Sequence, residues 1–141
     1  MPLQIGLLEE SFDLVAPRAE DLVERFYERL FAIALEVRPL FAGTDLPRQR
    51  QMLLGALVLL RKSLRNLGAI VPALQAMGAR HATYGVRPEH YPIVGAALLA
   101  SLAEVGGSAW VDEYTQAWAD AYQVVQDTML SGAVEASAAA A

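Results

Sequence analysis

Apolar residues recur every three or four positions along almost the whole chain, and no stretch alternates in the manner of a half-buried strand. This periodicity predicts an all-α fold. Long helices are expected over residues 3–16, 17–34, 47–66 and 88–105, with a last helix capped by Ser108. Between them, residues 36–41 predict a short helical turn, and residues 69–84 predict one or two short helices interrupted near Gly78.

The last predicted helix has the clearest buried face. Its large apolar side chains recur at helical spacing: Trp110, Tyr114, Trp118, Tyr122, Val125 and Met129. Such a stripe needs a hydrophobic partner surface. The chain of 141 residues is long enough for one domain with a substantial core. We assign this domain to residues 1–132 and an alanine-rich C-terminal tail to residues 133–141.

Composition narrows the classes of function. Hydrophobic residues make up 55% of the chain, which suggests a large interior or an enclosed apolar ligand. The absence of cysteine excludes disulfides, thiolate metal sites and cysteine nucleophiles, and the net charge of −5 gives little support to a nucleic-acid partner. The longest apolar run, residues 52–60, is too short to cross a membrane, and the N-terminus lacks a signal-peptide pattern. We therefore expect no membrane span and a cytoplasmic location.

His81 is one of only two histidines, and its surroundings single it out. Gly85 is suited to end the helix on which His81 lies, because glycine adopts the left-handed cap conformation without steric cost. Pro88 can open the next helix, where its missing N–H costs nothing. The sequence thus mounts an imidazole at the end of one helix and close to the start of another, as the axial ligand of a haem iron requires. By itself, a histidine within a helix is more often structural than a ligand.

Two further polar side chains fall on otherwise apolar faces. Tyr27 lies among inward-facing residues of the second helix, and its hydroxyl needs a partner if it is buried. Gln49 lies four residues before Leu53 and therefore on the same helix face. Taken alone, Tyr27 is explained as an ordinary core tyrosine, and Gln49 is explained as a residue at the solvent-exposed edge of its helix. The other histidine, His90, is expected to flank its helix rather than face a pocket.

Taken together, these residues resemble a known family over residues 5–130. The shared positions are Phe26-Tyr27, Arg38 to Phe41, Gln49 with Leu53, His81 to Gly95, and Ala117-Trp118 with Ala121-Tyr122. The sequence is similar to the single-domain bacterial haemoglobins, the group that includes Vitreoscilla haemoglobin, and to the globin domains of flavohaemoglobins. The resemblance implies a globin fold with helices packed around a haem b pocket.

The resemblance also implies roles for particular residues. His81 would be the proximal ligand of the iron, with Phe41 against a face of the haem. Tyr27 and Gln49 would lie on the distal side and donate hydrogen bonds to bound O₂, while Leu53 restricts access. Further pocket contacts are expected from five residues: Leu57, Val86, Tyr91, Val94 and Leu98.

Two positions depart from the family pattern. Leu35 stands where relatives usually have a proline. Ala133 occupies the position of a glutamate that hydrogen-bonds the proximal histidine, and Glu135 could replace that glutamate only if the helix shifted near Gly132. Without the carboxylate the imidazole donates less electron density, so O–O activation is less favoured.

Three functions stay open at this point. The favoured one is reversible O₂ binding for storage, transport or delivery, with NO and CO as further ligands. The alternative is a nitric oxide dioxygenase that depends on a separate reductase, and the third is a haem-free interaction module. The sequence leaves open whether the protein is a monomer or a homodimer. The basic residues Arg48 and Arg80 could reach haem propionates or simply be exposed, and Arg61, Lys62 and Arg65 are expected to form a solvated face.

Overall fold

The computed structural model describes the backbone of residues 3–140 and the side chains of residues 3–136. The described chain folds into six α-helices and contains no strand, which confirms the all-α prediction. The helices are α1 (Ile5–Val15), α2 (Ala19–Ile33), α3 (Leu46–Ser63), α4 (Val71–Thr83), α5 (His90–Gly106) and α6 (Asp112–Ala140). Short 3₁₀ turns cover Ala16–Arg18, Leu35–Phe41, Leu67–Ile70 and Gly107–Ala109.

Helix α5 runs through the centre of the fold. Its Leu98, Leu102 and Val105 are buried, and it packs against α2 on one side and α6 on another. The stretch His90–Ala109 is long and apolar enough to cross a membrane by length and composition alone. The expectation of no membrane span rested on uninterrupted apolar runs, and Ser101 and Glu104 interrupt this stretch. Its position as the central helix accounts for the same apolar character.

Helices α4 and α6 approach each other backbone to backbone. A Cβ atom added to Gly78 would lie 1.8 Å from the carbonyl oxygen of Met129, and one added to Gly132 would lie 2.1 Å from that of Gln75. The prediction of a break at Gly78 was therefore wrong: α4 is continuous from Val71 to Thr83. Gly78 is needed for close helix packing rather than for a turn.

Other boundaries also differ from the sequence-based expectation. Helix α6 begins at Asp112, whereas Ser108 lies in the preceding 3₁₀ turn, so Ser108 does not cap the last helix. Similarly, α5 begins at His90 rather than at Pro88, which lies in a turn. Helix α6 also continues through Gly132 to Ala140, across the predicted boundary between domain and tail. That boundary stays a prediction, and residues 1, 2 and 141 lie outside the described part.

Ion pairs connect the outer helices. Arg61 on α3 pairs with Glu9 and Asp13 on α1, at 3.3 and 3.0 Å, and Arg65 pairs with Glu9 at 2.7 Å. The adjacent guanidinium groups lower the pKa of both carboxyl groups. Arg61 thus links α3 to α1 and is largely covered, whereas Lys62 and Arg65 are exposed, as the sequence suggested.

Candidate functional site

A cavity of about 220 Å³ lies between α2, α3, α4, α5 and α6, and most of its lining is apolar. Of the ten predicted site residues, nine line it: Tyr27, Phe41, Leu53, Leu57, His81, Val86, Tyr91, Val94 and Leu98. The remaining residue, Gln49, does not line the cavity, but it donates a hydrogen bond to Tyr27, which does. The fold therefore gathers residues that are up to 71 positions apart in the chain, from Tyr27 to Leu98.

On one side of the cavity, α2 presents Tyr27 from within an aromatic cluster. Its ring centre lies 4.9 Å from that of Phe26, 6.0 Å from that of Phe31 and 5.7 Å from that of Phe41. The side chain is 7% exposed. This packing fixes the direction in which the phenol points, because neighbouring rings restrict its rotation.

Gln49 supports the Tyr27 hydroxyl from α3. The amide Nε2 of Gln49 donates to the phenolic oxygen over 3.2 Å. Helix α3 starts at a fixed point, since the Asp45 side chain accepts a hydrogen bond from the Arg48 N–H and Pro47 occupies the first turn. The start of α3 therefore places Gln49 beside Tyr27.

The hydrogen bond from Gln49 has a direct chemical consequence. Because the phenolic oxygen accepts, the hydroxyl hydrogen of Tyr27 remains available for a ligand in the cavity. Burial raises the pKa of Tyr27, and the Gln49 hydrogen bond offsets this only in part. Tyr27 is consequently a protonated donor throughout the neutral pH range.

On another side of the cavity, α4 presents His81. Its Nδ1 lies 2.6 Å from the backbone oxygen of Met77, one turn earlier in the same helix. A carbonyl oxygen can only accept, so Nδ1 carries the proton and Nε2 of the neutral ring offers its lone pair. The same hydrogen bond fixes the orientation of the ring, as metal-ligating histidines require.

Ala133, the position that departs from the family pattern, supplies no carboxylate, and the described residues give His81 no hydrogen bond to one. Ala133 lies beside a second cavity, of about 240 Å³, together with Tyr91. Glu135 is exposed. The partner of the His81 imidazole in the described structure is thus the neutral carbonyl of Met77.

His90 contradicts its prediction. Its side chain lines the cavity, and its Nδ1 accepts a hydrogen bond from the Arg87 N–H over 3.0 Å. The hydropathy pattern gave no sign of this, because His90 lies in the first turn of α5, where a side chain can point either way. Arg48 and Arg80 are exposed.

Several lining residues were recognised as buried in the sequence but not assigned to the site. Leu60 on α3 and the α6 residues Trp118, Tyr122, Val125 and Met129 all reach the cavity. Gly95 makes room for Tyr122, since a Cβ atom there would lie 2.7 Å from the Tyr122 ring, and the Tyr122 hydroxyl donates to the Tyr91 carbonyl over 2.6 Å. Periodicity revealed the stripe on α6 but not which neighbour covers it.

The donor set indicates which kind of metal group would fit. Within the described residues, no three histidine, cysteine or acidic side chains are grouped closely enough to hold a bare metal ion. Two imidazoles, those of His81 and His90, line a cavity that is otherwise largely apolar, and so small a donor set instead suits a metal that brings its other ligands with it. These residues therefore fit a haem.

Comparisons with known proteins agree with this geometry. The globin family model matches residues 24–129. A flavohemoprotein of Bacillus thuringiensis is 35% identical over 129 residues, which cover 90% of this chain but 32% of that protein. The chain thus spans about a third of the length of the flavohemoproteins that it matches.

Solved structures give the same result. An engineered carbene transferase of Rhodothermus marinus superposes with a TM-score of 0.86 at 27% identity, over 96% of this chain and 94% of that one. A bacterial globin of Campylobacter jejuni gives a TM-score of 0.81 at 26% identity, over 94% of this chain and 95% of that one. Together with the family match, these findings show that the chain belongs to the globin family.

Proposed function

We propose that this globin binds haem b in the main cavity and binds O₂ reversibly. The observation that carries the proposal is the pair formed by Tyr27 and Gln49 beside a largely apolar cavity that the oriented imidazole of His81 also lines. When bound, haem supplies the iron at which a diatomic gas coordinates. The protein's own residues then decide how tightly that gas is held.

His81 holds the haem through Nε2 in this proposal. The Met77 carbonyl keeps the proton on Nδ1 and prevents the ring from turning. Phe41 and Leu53, both partly buried, provide apolar surface that excludes water from the ligand. Exclusion of water strengthens every hydrogen bond formed inside the cavity.

Tyr27 provides the donor for the gaseous ligand. Its hydroxyl hydrogen is available because the phenolic oxygen already accepts a hydrogen bond from the Gln49 amide. A hydrogen bond to a ligand that carries partial negative charge contributes roughly 1.5–3 kcal/mol. Since affinity differences appear mainly in dissociation, O₂ release should be slowed by about one to two orders of magnitude.

Nitric oxide dioxygenation with a separate reductase is the second candidate. What favours it is the similarity to flavohemoproteins and to the Rhodothermus marinus protein, itself a candidate nitric oxide dioxygenase. The neutral Met77 carbonyl favours O₂ binding instead, because a carboxylate partner would increase the donor strength of His81 more. The same pocket would accept NO and CO.

The decisive experiment measures haem content and ligand cycling. The purified protein should show a strong Soret band and yield haem b in a pyridine haemochrome assay. His81→Ala should lose the band, whereas His90→Ala should keep it. Repeated removal and addition of O₂ to the reduced protein should interconvert two spectra. A protein that is colourless and takes up no added haemin would overturn the proposal.

A second measurement separates the two candidate functions. Sustained NO consumption in the presence of NADH and an added flavin reductase, at rates like those of flavohemoproteins, would replace O₂ binding by NO dioxygenation. Slow or single-turnover consumption would leave reversible O₂ binding as the function.

A further inference from the structure

His90 lies where the main cavity reaches the protein surface. Its side chain lines the cavity and is partly exposed. The loop that leads into α5 contacts the 3₁₀ turn Leu35–Phe41, since a Cβ atom added to Gly85 would lie 3.2 Å from the Leu40 side chain. This contact places four partly buried lining residues along one rim of the cavity: Leu40, Phe41, Val86 and His90.

The hydrogen bond at the start of α5 decides which ring nitrogen of His90 carries the proton. Nδ1 accepts from the Arg87 N–H over 3.0 Å, so in the neutral ring the proton is on Nε2. The two nitrogens of an imidazole point in nearly opposite directions, and Nε2 is therefore directed away from the backbone turn that holds Nδ1. Within the described part of the chain, Nε2 makes no hydrogen bond. His90 thus offers a free N–H donor at the rim.

The other polar side chains of the lining are less suited to hold an anion. Tyr91 is buried, so a charged group bound to it would lose its water at high cost. Gln126 is partly exposed but comes from α6, which contributes no residue to the rim. The three remaining polar residues already have the hydrogen-bond partners described above: Tyr27, His81 and Tyr122.

The charge along the rim admits an anion, whereas the chain as a whole would repel one. The turn and the loop that form the rim carry two arginines and two glutamates, so their net charge is zero: Arg38, Arg87, Glu36 and Glu89. The whole chain has a net charge of −5. A carboxylate at the rim also keeps part of its water, which a carboxylate inside the apolar cavity would lose. The rim therefore suits a ligand with an apolar body and an acidic end.

We infer that the Nε2–H of His90 donates a hydrogen bond to a carboxylate of the haem and thereby slows haem loss. The inference rests on the proposed binding of haem b, which carries two carboxylates on an apolar macrocycle. Hydrogen bonds to ionised acceptors are stronger than those between neutral groups, although solvent at the rim weakens this one. His90 is then a positioning residue for the haem, because it contacts neither the iron nor the gaseous ligand.

The test removes each partner of this hydrogen bond in turn. The full chain is loaded with haem b or with its dimethyl ester, in which both carboxylates are uncharged. Haem loss to an excess of serum albumin is followed in the Soret region. His90→Asn keeps an oxygen that can accept from the Arg87 N–H but lacks the donor at Nε2. It should speed the loss of haem b about three- to tenfold, the effect of one hydrogen bond, and leave the loss of the ester unchanged.

Two further variants of His90 sharpen the test. His90→Gln has an N–H close to the position of Nε2 and should restore the slow loss of haem b. His90→Leu, which has no donor, should act like His90→Asn and replaces it if that variant does not fold. Gln126→Leu is the matched control, since it removes the other partly exposed amide or imidazole donor without an assigned partner, and it should change neither rate.

Three results would overturn the inference: an unchanged loss of haem b in the variants without a donor, equal acceleration for haem b and its ester, or an effect on haem b in Gln126→Leu that exceeds that in His90→Asn. In each case the Soret band would still be present, so the proposed binding of haem and O₂ would stand. A protein that takes up neither form of haem would overturn the proposed function together with this inference.

Discussion

The two sides of the main cavity position their polar groups by different means. On the proposed distal side, Tyr27 and Gln49 come from α2 and α3 and are fixed by side chains, through aromatic packing and one hydrogen bond. On the proposed proximal side, His81 is fixed by the backbone of its own helix, through the carbonyl of Met77. The distal arrangement thus depends on how two helices meet, and the proximal arrangement depends on where one helix lies.

The packing around the two sides differs in the same way, with side-chain contacts around Tyr27 and backbone contacts around the helix that carries His81. The contacts to Tyr27 are made by the side chains of Phe26, Phe31 and Phe41, which, unlike backbone atoms, can change rotamer when a neighbour is replaced. Helix α4 has no such freedom, since glycines bring its backbone against that of α6. A substitution should therefore be tolerated better on the distal side and affect ligand chemistry there, whereas on the proximal side it should affect folding.

The largest effect is expected from Gly78→Ala. The added Cβ would lie 1.8 Å from the Met129 carbonyl, so the two helix backbones must separate. We expect the free energy of unfolding to fall by about 3 kcal/mol in urea titrations, at the upper end for overpacking. Gly55→Ala on α3 is the matched control, because nothing lies within 4 Å of its added Cβ.

In the control the helix-propensity gain should instead raise stability by up to about 1 kcal/mol. Equal free energies of unfolding for Gly78→Ala and Gly55→Ala would contradict the inference that close backbone packing against α6 holds α4 in place.

Tyr27→Phe should have the next largest effect, and on ligand release rather than on folding. Loss of the hydroxyl donor should speed O₂ dissociation at least about tenfold, as measured by stopped-flow displacement with CO. Tyr114→Phe should leave the rate unchanged. An unchanged rate in Tyr27→Phe would remove the distal role of this residue.

Gln49→Leu should have a smaller effect. Without the amide, Tyr27 keeps its donor but loses the group that orients it, so we expect O₂ release to accelerate about threefold. The double variant with Tyr27→Phe should be barely faster than Tyr27→Phe alone, because Gln49 acts through the phenol. Simple additivity of the two effects would show instead that Gln49 contacts the ligand directly.

The smallest effect is expected from pH. Burial raises the pKa of Tyr27 above its usual value near 10, so the donor stays protonated and the O₂ release rate should be flat from about pH 6 to 9. The buried tyrosines Tyr91 and Tyr122 also have raised pKa values. Each favours the neutral form in the folded state, so its contribution to stability is complete below about pH 10 and is lost as the pH rises above that.

Thermal unfolding between pH 8 and 11 checks the second part. The melting temperature should stay level up to about pH 10 and then fall. In Tyr122→Phe the melting temperature should fall less steeply above pH 10. A rate of O₂ release that changed near pH 7 would assign the distal donor to a group other than Tyr27.

The sequence predicted the elements better than their contacts. Helical periodicity placed α1, α2, α3 and α5 to within a few residues, because each has a continuous apolar stripe. It was wrong at Gly78, which lies inside α4 and does not break it. A local pattern cannot distinguish a glycine that ends a helix from one against which another helix packs, since the difference lies in a distant residue, Met129.

The candidate site shows the same limit. His81, Tyr27 and Gln49 could be selected from the chain because polar side chains on apolar faces are unusual and because their spacing resembled a known family. Their roles as ligand and donors remain predictions. His90 and the α6 residues that line the cavity could not be assigned, because their spacing is equally that of ordinary core positions.

By itself, the sequence determined that the chain is helical and that very few polar groups are available inside it, since both follow from the order of apolar and polar residues. Tertiary structure decided how the Tyr27 hydroxyl is used: the Gln49 amide reaches it from another helix and leaves its hydrogen available. The Met77 carbonyl that leaves Nε2 of His81 available lies one turn earlier in the same helix, so it needs only α4 to form. Hydrogen bonds act over about 3 Å, so only the packed positions of α2 and α3 establish that Gln49 meets Tyr27.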